Sequence, residues 1–191
     1  MSDPAEEYYT EERWNNWLDR LREEELDPEN EDSARLLLNL QDDAAIAIAK
    51  IITDFDEGEI DEERALDELG DIADIVLADA GFEDEDTAIL VDGVQMSLHC
   101  VIAATETYFV NGPLEGDVTA HIDAAAEAEA EEDLDTAFSH CAQAGTLIID
   151  GAELDMSAIA EDLEYGYVAE WVNGLDSLQD ALSTPEVVEE N

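Results

Sequence analysis

A run of carboxylates with metal-binding spacing lies in the segment DFDEGEIDEERALDELGD, from Asp54 to Asp71. Glu68 and Asp71 are three positions apart, and so are Glu59 and Glu62. Carboxylates at this spacing share one face of a helix and can together bind a hard cation such as Mg²⁺. A bound Mg²⁺ would polarise a phosphate or activate a water molecule. The spacing therefore raises the hypothesis of magnesium-dependent hydrolysis.

The stretch DELGDIADIVLAD resembles the metal-binding helix of the all-helical nucleotide pyrophosphohydrolases, which carry a Glu-x-x-Glu pair on one helix and a Glu-x-x-Asp pair on the next. The resemblance implies Mg²⁺ as cofactor, with Glu68 and Asp71 as the second pair and Glu59 and Glu62 as the first. However, five residues separate Glu62 from Glu68, so both pairs share one short stretch. Helical phase also places Asp71 and Asp74 away from the apolar stripe. We therefore interpret these acids mainly as a solvated face.

Two histidines adjoin the chain's two cysteines, which suggests zinc as a second hypothesis. His99 precedes Cys100 and His140 precedes Cys141. Neighbours on a helix point about 100° apart, so neither pair can chelate one ion. Buried cysteine behaves as a small hydrophobic residue. We expect both cysteines to pack in the core, where contact between their helices would bring them close.

The net charge constrains the conditions under which the chain folds. The 191 residues include 54 Asp and Glu against 6 Lys and Arg, giving a formal net charge of −48. Such a field opposes compaction unless counter-ions screen it, and the screening length falls from about 10 Å at 0.1 M salt to about 3 Å at 1 M. We therefore expect a salt-adapted protein surrounded by concentrated K⁺ or Na⁺. The charge also disfavours direct nucleic-acid binding.

The sequence predicts a cytoplasmic protein. Its first residues, MSDPAEEYYT, are acidic and contain no apolar stretch, so neither a secretory signal nor a transit peptide is expected. No apolar run approaches the roughly 18 residues that a membrane helix requires, so no membrane span is expected either.

Helical periodicity dominates the chain and determines where these residues lie. It predicts helices over residues 11–26, 32–55, 61–81, 86–110, 119–131, 134–149 and 157–182. The fourth is apolar on most sides, which predicts a central position. We predict a single all-α domain over residues 1–191, an irregular antiparallel helical bundle of about seven helices with frayed ends at 1–9 and 185–191.

Aromatic side chains are the predicted anchors of this bundle. Trp14 and Trp17 lie on the apolar stripe of the first helix, and Tyr167 and Trp171 lie on that of the last. Large aromatic residues contribute strongly to cores and to protein interfaces. We predict that these four residues act in the core or at an interface with a protein partner or a second copy.

Four segments together resemble a haloarchaeal family that is known only as a domain of unknown function: EERWNNWLDRL, LLLNLQDDAAIAIAKII, LVDGVQ and EDLEYGYVAEWVNGLDSLQDAL. The resemblance covers nearly the whole chain and implies a helical fold in salt-adapted archaea, with no assigned activity. The favoured function is a non-enzymatic scaffold or protein-interaction module without a cofactor. The alternative is a Mg²⁺-dependent nucleotide pyrophosphohydrolase that uses Glu68 and Asp71.

Overall fold

The computed structural model describes residues 8–24, 26–27, 29–159, 163 and 166–183. These residues form eight α-helices and no strand, which confirms the all-α prediction. The helices are α1 (Glu11–Glu23), α2 (Glu31–Asp56), α3 (Glu62–Val76), α4 (Glu85–Asn111), α5 (Val118–Ala130), α6 (Leu134–Ile149), α7 (Met156–Ile159) and α8 (Tyr167–Ser183).

Polar side chains begin most of these helices. Five N-cap side chains accept a hydrogen bond from the backbone N–H three residues later: Thr10, Asp61, Asp84, Asp117 and Asp133. Such a cap stabilises its helix by satisfying a backbone N–H that has no partner within the helix, and the negative charge of the four Asp caps is favourable at this end of the helix dipole. Hydrogen bonds from Thr87 hold the pKa of Asp84 below its usual range. Part of the acid excess therefore has a local structural role.

Helix α4 joins two clusters of buried side chains. The first cluster comes mainly from α1 to α4 and includes Trp14, Ile48 and Leu98. The second comes mainly from α4, α5, α6 and α8 and includes Cys100 and Cys141. Helix α4 packs against α2, α3, α6 and α8. The predicted central position of the fourth helix is confirmed.

Length and composition alone would allow α4 to cross a membrane. Half of its most apolar stretch is buried inside the fold, against the four helices named above. Buried core helices of folded domains meet the same two criteria. The absence of a membrane span therefore stays a prediction.

The third helix ends earlier than its pattern indicates. It ends at Val76, and there Gln95 of α4 donates hydrogen bonds from its amide nitrogen to the carbonyl oxygens of Val76 (2.9 Å) and Ala78 (2.7 Å). These contacts satisfy carbonyl groups at the end of α3, which have no partner within the helix.

The prediction of one continuous last helix over 157–182 is wrong. Helix α7 is described over Met156–Ile159, and neither Leu163 nor Gly166 is helical before α8 begins at Tyr167. A side chain from α5 occupies the N-terminal end of α8, where the predicted continuous helix is interrupted.

That side chain is Glu129. Its carboxylate accepts hydrogen bonds from the backbone N–H groups of Tyr167 (2.7 Å) and Val168 (3.4 Å). The first N–H groups of a helix have no intrahelical acceptor, so the Glu129 carboxylate caps α8 from a neighbouring helix. A Cβ atom at position 166 would overlap this carboxylate. Gly166 therefore permits the cap and marks where α8 begins.

Candidate functional site

The first carboxylates of the acidic segment bind tyrosines. The Tyr8 hydroxyl donates to the Asp54 carboxylate, and the Tyr108 hydroxyl donates to Asp56 at 2.9 Å. Burial, followed by the adjacent Asp56 carboxylate, raises the pKa of Tyr108 to about 12. These two acids join the end of α2 to the chain start and to α4.

Glu68 and Asp71 line a surface groove of about 610 Å³ beside the start of α1. The Glu68 carboxylate pairs with the Arg64 guanidinium one helical turn earlier, at 2.6 Å. Asp71 is exposed, as its helical phase predicts, while Glu59 and Glu62 are exposed and do not line the groove. Within the described part of the chain, no three His, Cys, Asp or Glu side chains are grouped to hold a metal ion. The structure thus does not bring the four candidate carboxylates together.

The aromatic side chains of α1 face inward. Trp14 is only 2% exposed and belongs to the first buried cluster. Trp17 is half-buried, and its indole N–H donates to the Asp43 carboxylate at 2.9 Å. Arg13 also binds Asp43, with Nε to Oδ2 at 2.8 Å. Both tryptophans therefore attach α1 to the rest of the chain.

Of the two aromatic residues predicted on α8, one is buried and one is exposed. Trp171 is 7% exposed and packs edge-on against Phe138, with ring centroids 5.1 Å apart. Tyr167 is 48% exposed at the start of α8. Tyr167 is thus the predicted anchor that retains the most accessible surface.

An apolar groove of about 440 Å³ lies between α2, α4 and α8. Two of its lining side chains are large, apolar and accessible: Leu38 is 50% exposed and Ile89 is 66% exposed. Below them, the Gln41 amide of α2 donates to the Ser177 hydroxyl of α8 at 2.8 Å. This hydrogen bond links two of the helices that form the groove.

Sequence reasoning did not identify this groove, although a signal was present. Residues 36–38 are three consecutive leucines, and successive residues on a helix point about 100° apart, so one buried face cannot hold all three. Leu37 is buried, whereas Leu38 is exposed. A run of this kind on an amphipathic helix indicates an apolar surface outside the core.

Carboxylates border the groove. Asp27, Glu170 and Asp176 are among its lining residues. Burial, followed by the neighbouring Asp180 and Asp42 carboxylates, raises the pKa of Asp176. The pKa of Asp42 is also raised, mainly by burial. The edge of the groove therefore holds negative charge where it is unfavourable for the fold.

Replacing Asp176 with Asn should stabilise the protein at neutral pH. A carboxyl group whose pKa is higher in the folded than in the unfolded state favours folding while it is protonated. Its ionised form therefore lowers stability increasingly as pH rises above the pKa of the unfolded state. We expect the Asp176→Asn substitution to raise the free energy of unfolding at pH 7 by less than about 1 kcal/mol, because solvent screens the charge of a half-exposed group. The melting temperature should rise accordingly. The difference in stability between the variant and the parent protein should vanish toward about pH 4, where an Asp carboxyl usually becomes protonated.

Thermal melting in molar KCl across this pH range measures the effect. Asp71→Asn is the matched control, since it removes the same charge from an exposed position on α3. An equal gain in both variants at every pH would attribute the effect to net charge alone and contradict the local explanation.

The cysteines pack as expected. Cys100 of α4 and Cys141 of α6 are both free thiols and fully buried. Burial, reinforced by contact with Cys141, raises the pKa of the Cys100 thiol well above its usual value. The adjacent His99 is exposed and lies against Phe138, with ring centroids 4.8 Å apart. The prediction of core cysteines is confirmed.

Comparison with known proteins assigns the chain to a family. Residues 7–191 match the model of a family described as "Uncharacterized protein conserved in archaea (DUF2150)". No curated protein and no solved structure matches the chain significantly. Because the family model covers nearly the whole sequence, the chain belongs to this uncharacterised archaeal family.

Proposed function

We propose that this protein is a non-enzymatic interaction module, whose groove between α2, α4 and α8 binds an amphipathic helix from another protein. The helix would place an apolar face in the groove and basic residues along its edge. The observation that carries the proposal is the exposure of two large apolar side chains, Leu38 and Ile89, beside a single groove.

The apolar part of the groove provides the affinity. Full burial of a Leu or Ile side chain contributes about 1.5–3 kcal/mol. Leu38 is half exposed and Ile89 is two-thirds exposed. A bound helix that covers both side chains would therefore gain a substantial part of this burial free energy. Helices that bind grooves present apolar side chains at positions i, i+3 or i+4, and i+7. A groove of about 440 Å³ accommodates a few such side chains.

The charge of the groove edge selects the partner. Asp27 and Asp176 lie beside the apolar lining, so Lys or Arg on a bound helix would meet carboxylates. A second copy of this chain would instead bring another −48 charge to the same surface. In molar salt the screening length is about 3 Å, so ion pairs formed in direct contact are the ones that contribute.

The setting that we propose is the salt-loaded cytoplasm of a haloarchaeon. The excess of 54 acidic over 6 basic residues supports it, since concentrated K⁺ or Na⁺ would screen the repulsion among the carboxylates. The same charge argues against nucleic acid as the partner.

Binding of designed peptides tests the proposal. A fluorescently labelled amphipathic helix with a Leu face and Lys flanks is titrated with the protein, in about 1 M KCl where long-range attraction is screened. Two comparison peptides have the same composition in scrambled order and the same Leu face with Gln flanks. We expect the Leu–Lys helix to bind most tightly by fluorescence anisotropy.

Two serine variants locate the binding surface. Ile89→Ser should weaken binding by at least about tenfold, equivalent to 1.4 kcal/mol. Val110→Ser is the matched control, because Val110 is 54% exposed at the other end of α4 and does not line the groove. Binding that is equal for the scrambled peptide, or unchanged by Ile89→Ser, would refute the proposal.

A further inference from the structure

A pair of histidines lies between α5 and α6. The Nδ1 atoms of His121 and His140 are 3.1 Å apart, and the ring centroids are separated by 5.4 Å. Both side chains are half-buried. The chain contains three histidines, and the fold brings these two together across a helical hairpin, away from the proposed peptide groove.

The loop before α5 fixes the orientation of His121. Its Nε2 lies 3.0 Å from the Glu115 carbonyl oxygen, which accepts hydrogen bonds, so Nε2 carries a proton and donates it. In the neutral ring, Nδ1 of His121 is then unprotonated and directs its lone pair toward His140. Gly116 allows the loop to approach, because its φ is +126° and a Cβ there would lie 2.5 Å from Nε2 of His121.

We infer that His121 and His140 form a binding site for a divalent transition metal of the Cu²⁺, Ni²⁺ and Zn²⁺ class. Imidazole nitrogen suits these ions, and Cu²⁺ binds most tightly in the series. Metal–nitrogen bonds of about 2.0–2.1 Å to two atoms 3.1 Å apart make an angle of roughly 100° at the ion. That angle lies between those of square-planar and tetrahedral coordination, and each Nδ1 lone pair would turn by roughly 40° from the line between the two nitrogens to point at the ion.

The hydrogen bond from Nε2 of His121 to a backbone carbonyl is a second indication. Histidines that bind metals usually donate their other ring N–H to a carbonyl or carboxylate group, which fixes the tautomer. Without metal, Nδ1–H of His140 donates to Nδ1 of His121. Metal binding would move that proton to Nε2 of His140, with solvent carrying it, so no net proton is released from the neutral pair. Water would complete the coordination.

The net charge of −48 requires a readout that separates nitrogen ligands from carboxylates. Untagged protein in molar KCl with excess Mg²⁺ is titrated with Cu²⁺ and followed by electron paramagnetic resonance. Nitrogen hyperfine splitting identifies nitrogen ligands directly, and the histidine variants assign those ligands to imidazole. We expect one equivalent of Cu²⁺ with two nitrogen ligands.

The third histidine supplies the matched control. His121→Asn and His140→Asn should each lose the two-nitrogen spectrum and weaken Cu²⁺ binding by at least about tenfold. His99→Asn should retain both, because His99 lies on α4 against Phe138. Zn²⁺ added to the parent protein should shift the ring proton resonances of His121 and His140 but not those of His99, independently of any variant. An oxygen-only spectrum, or loss of the signal in His99→Asn, would overturn the inference.

Discussion

Lowering KCl from about 2 M to about 0.1 M is expected to unfold the protein or to lower its melting temperature by more than about 20 °C. The 6 Lys and Arg residues can neutralise only a small part of the 54 Asp and Glu residues. The Arg13–Asp43 ion pair joins α1 to α2, and the Arg64–Glu68 pair lies within α3, but such local pairs leave the overall repulsion in place. At low salt, the repulsion extends across neighbouring helices, because the screening length reaches about 10 Å.

Far-ultraviolet circular dichroism during heating at several KCl concentrations measures this effect. Sucrose at matched osmolality is the control, since it favours compact states without screening charge. A melting temperature that is restored by KCl but not by sucrose would identify charge screening as the cause. A melting temperature that stays constant over this salt range would contradict the salt-adapted interpretation.

Replacing Gly174 with Ala is expected to destabilise the fold by about 3 kcal/mol or more, at or above the upper end of the range for overpacked cores. A Cβ at position 174 of α8 would overlap backbone atoms of Ser97 in α4. Backbone cannot move aside as a flexible side chain would. The Ser97 hydroxyl also donates to the Glu170 carbonyl of α8 at 2.8 Å, so separating the two helices would break this hydrogen bond as well.

Gly70 provides the matched control for Gly174. It also lies inside a helix, α3, but it is exposed and a Cβ there would meet nothing within 4 Å. Ala is favoured over Gly in a helix by about 1 kcal/mol, so Gly70→Ala should stabilise the protein. Urea denaturation in molar KCl compares the two variants without changing ionic strength. Changes of the same sign in both would show that the contact at Ser97 does not control stability.

The parts of the fold that depend on local sequence were predictable. The apolar character of residues 86–110 predicted a central α4, and the phase of α3 predicted that Asp71 is exposed. Both follow from the 3.6-residue period, which needs no knowledge of other helices. The burial of Cys100 and Cys141 followed from their apolar neighbours in the same way.

The features that depend on distant residues were not predictable by the same reasoning. Helix α8 begins at Tyr167 because Glu129, 38 residues earlier, accepts a hydrogen bond from its backbone N–H. A residue pattern within α8 holds no information about that carboxylate. His121 and His140 are likewise brought together by the hairpin of α5 and α6. The apolar groove arises from three helices that are separate in sequence.

The position of α4 between two buried clusters has a consequence for the folding transition. Opening either half of the molecule would expose one side of α4 to water and remove support from the other half. Amide hydrogens around Leu98 and Cys100 should therefore exchange with solvent only when the whole chain opens, at the slowest rate in the protein. The two clusters should behave as one cooperative unit, with a single calorimetric transition.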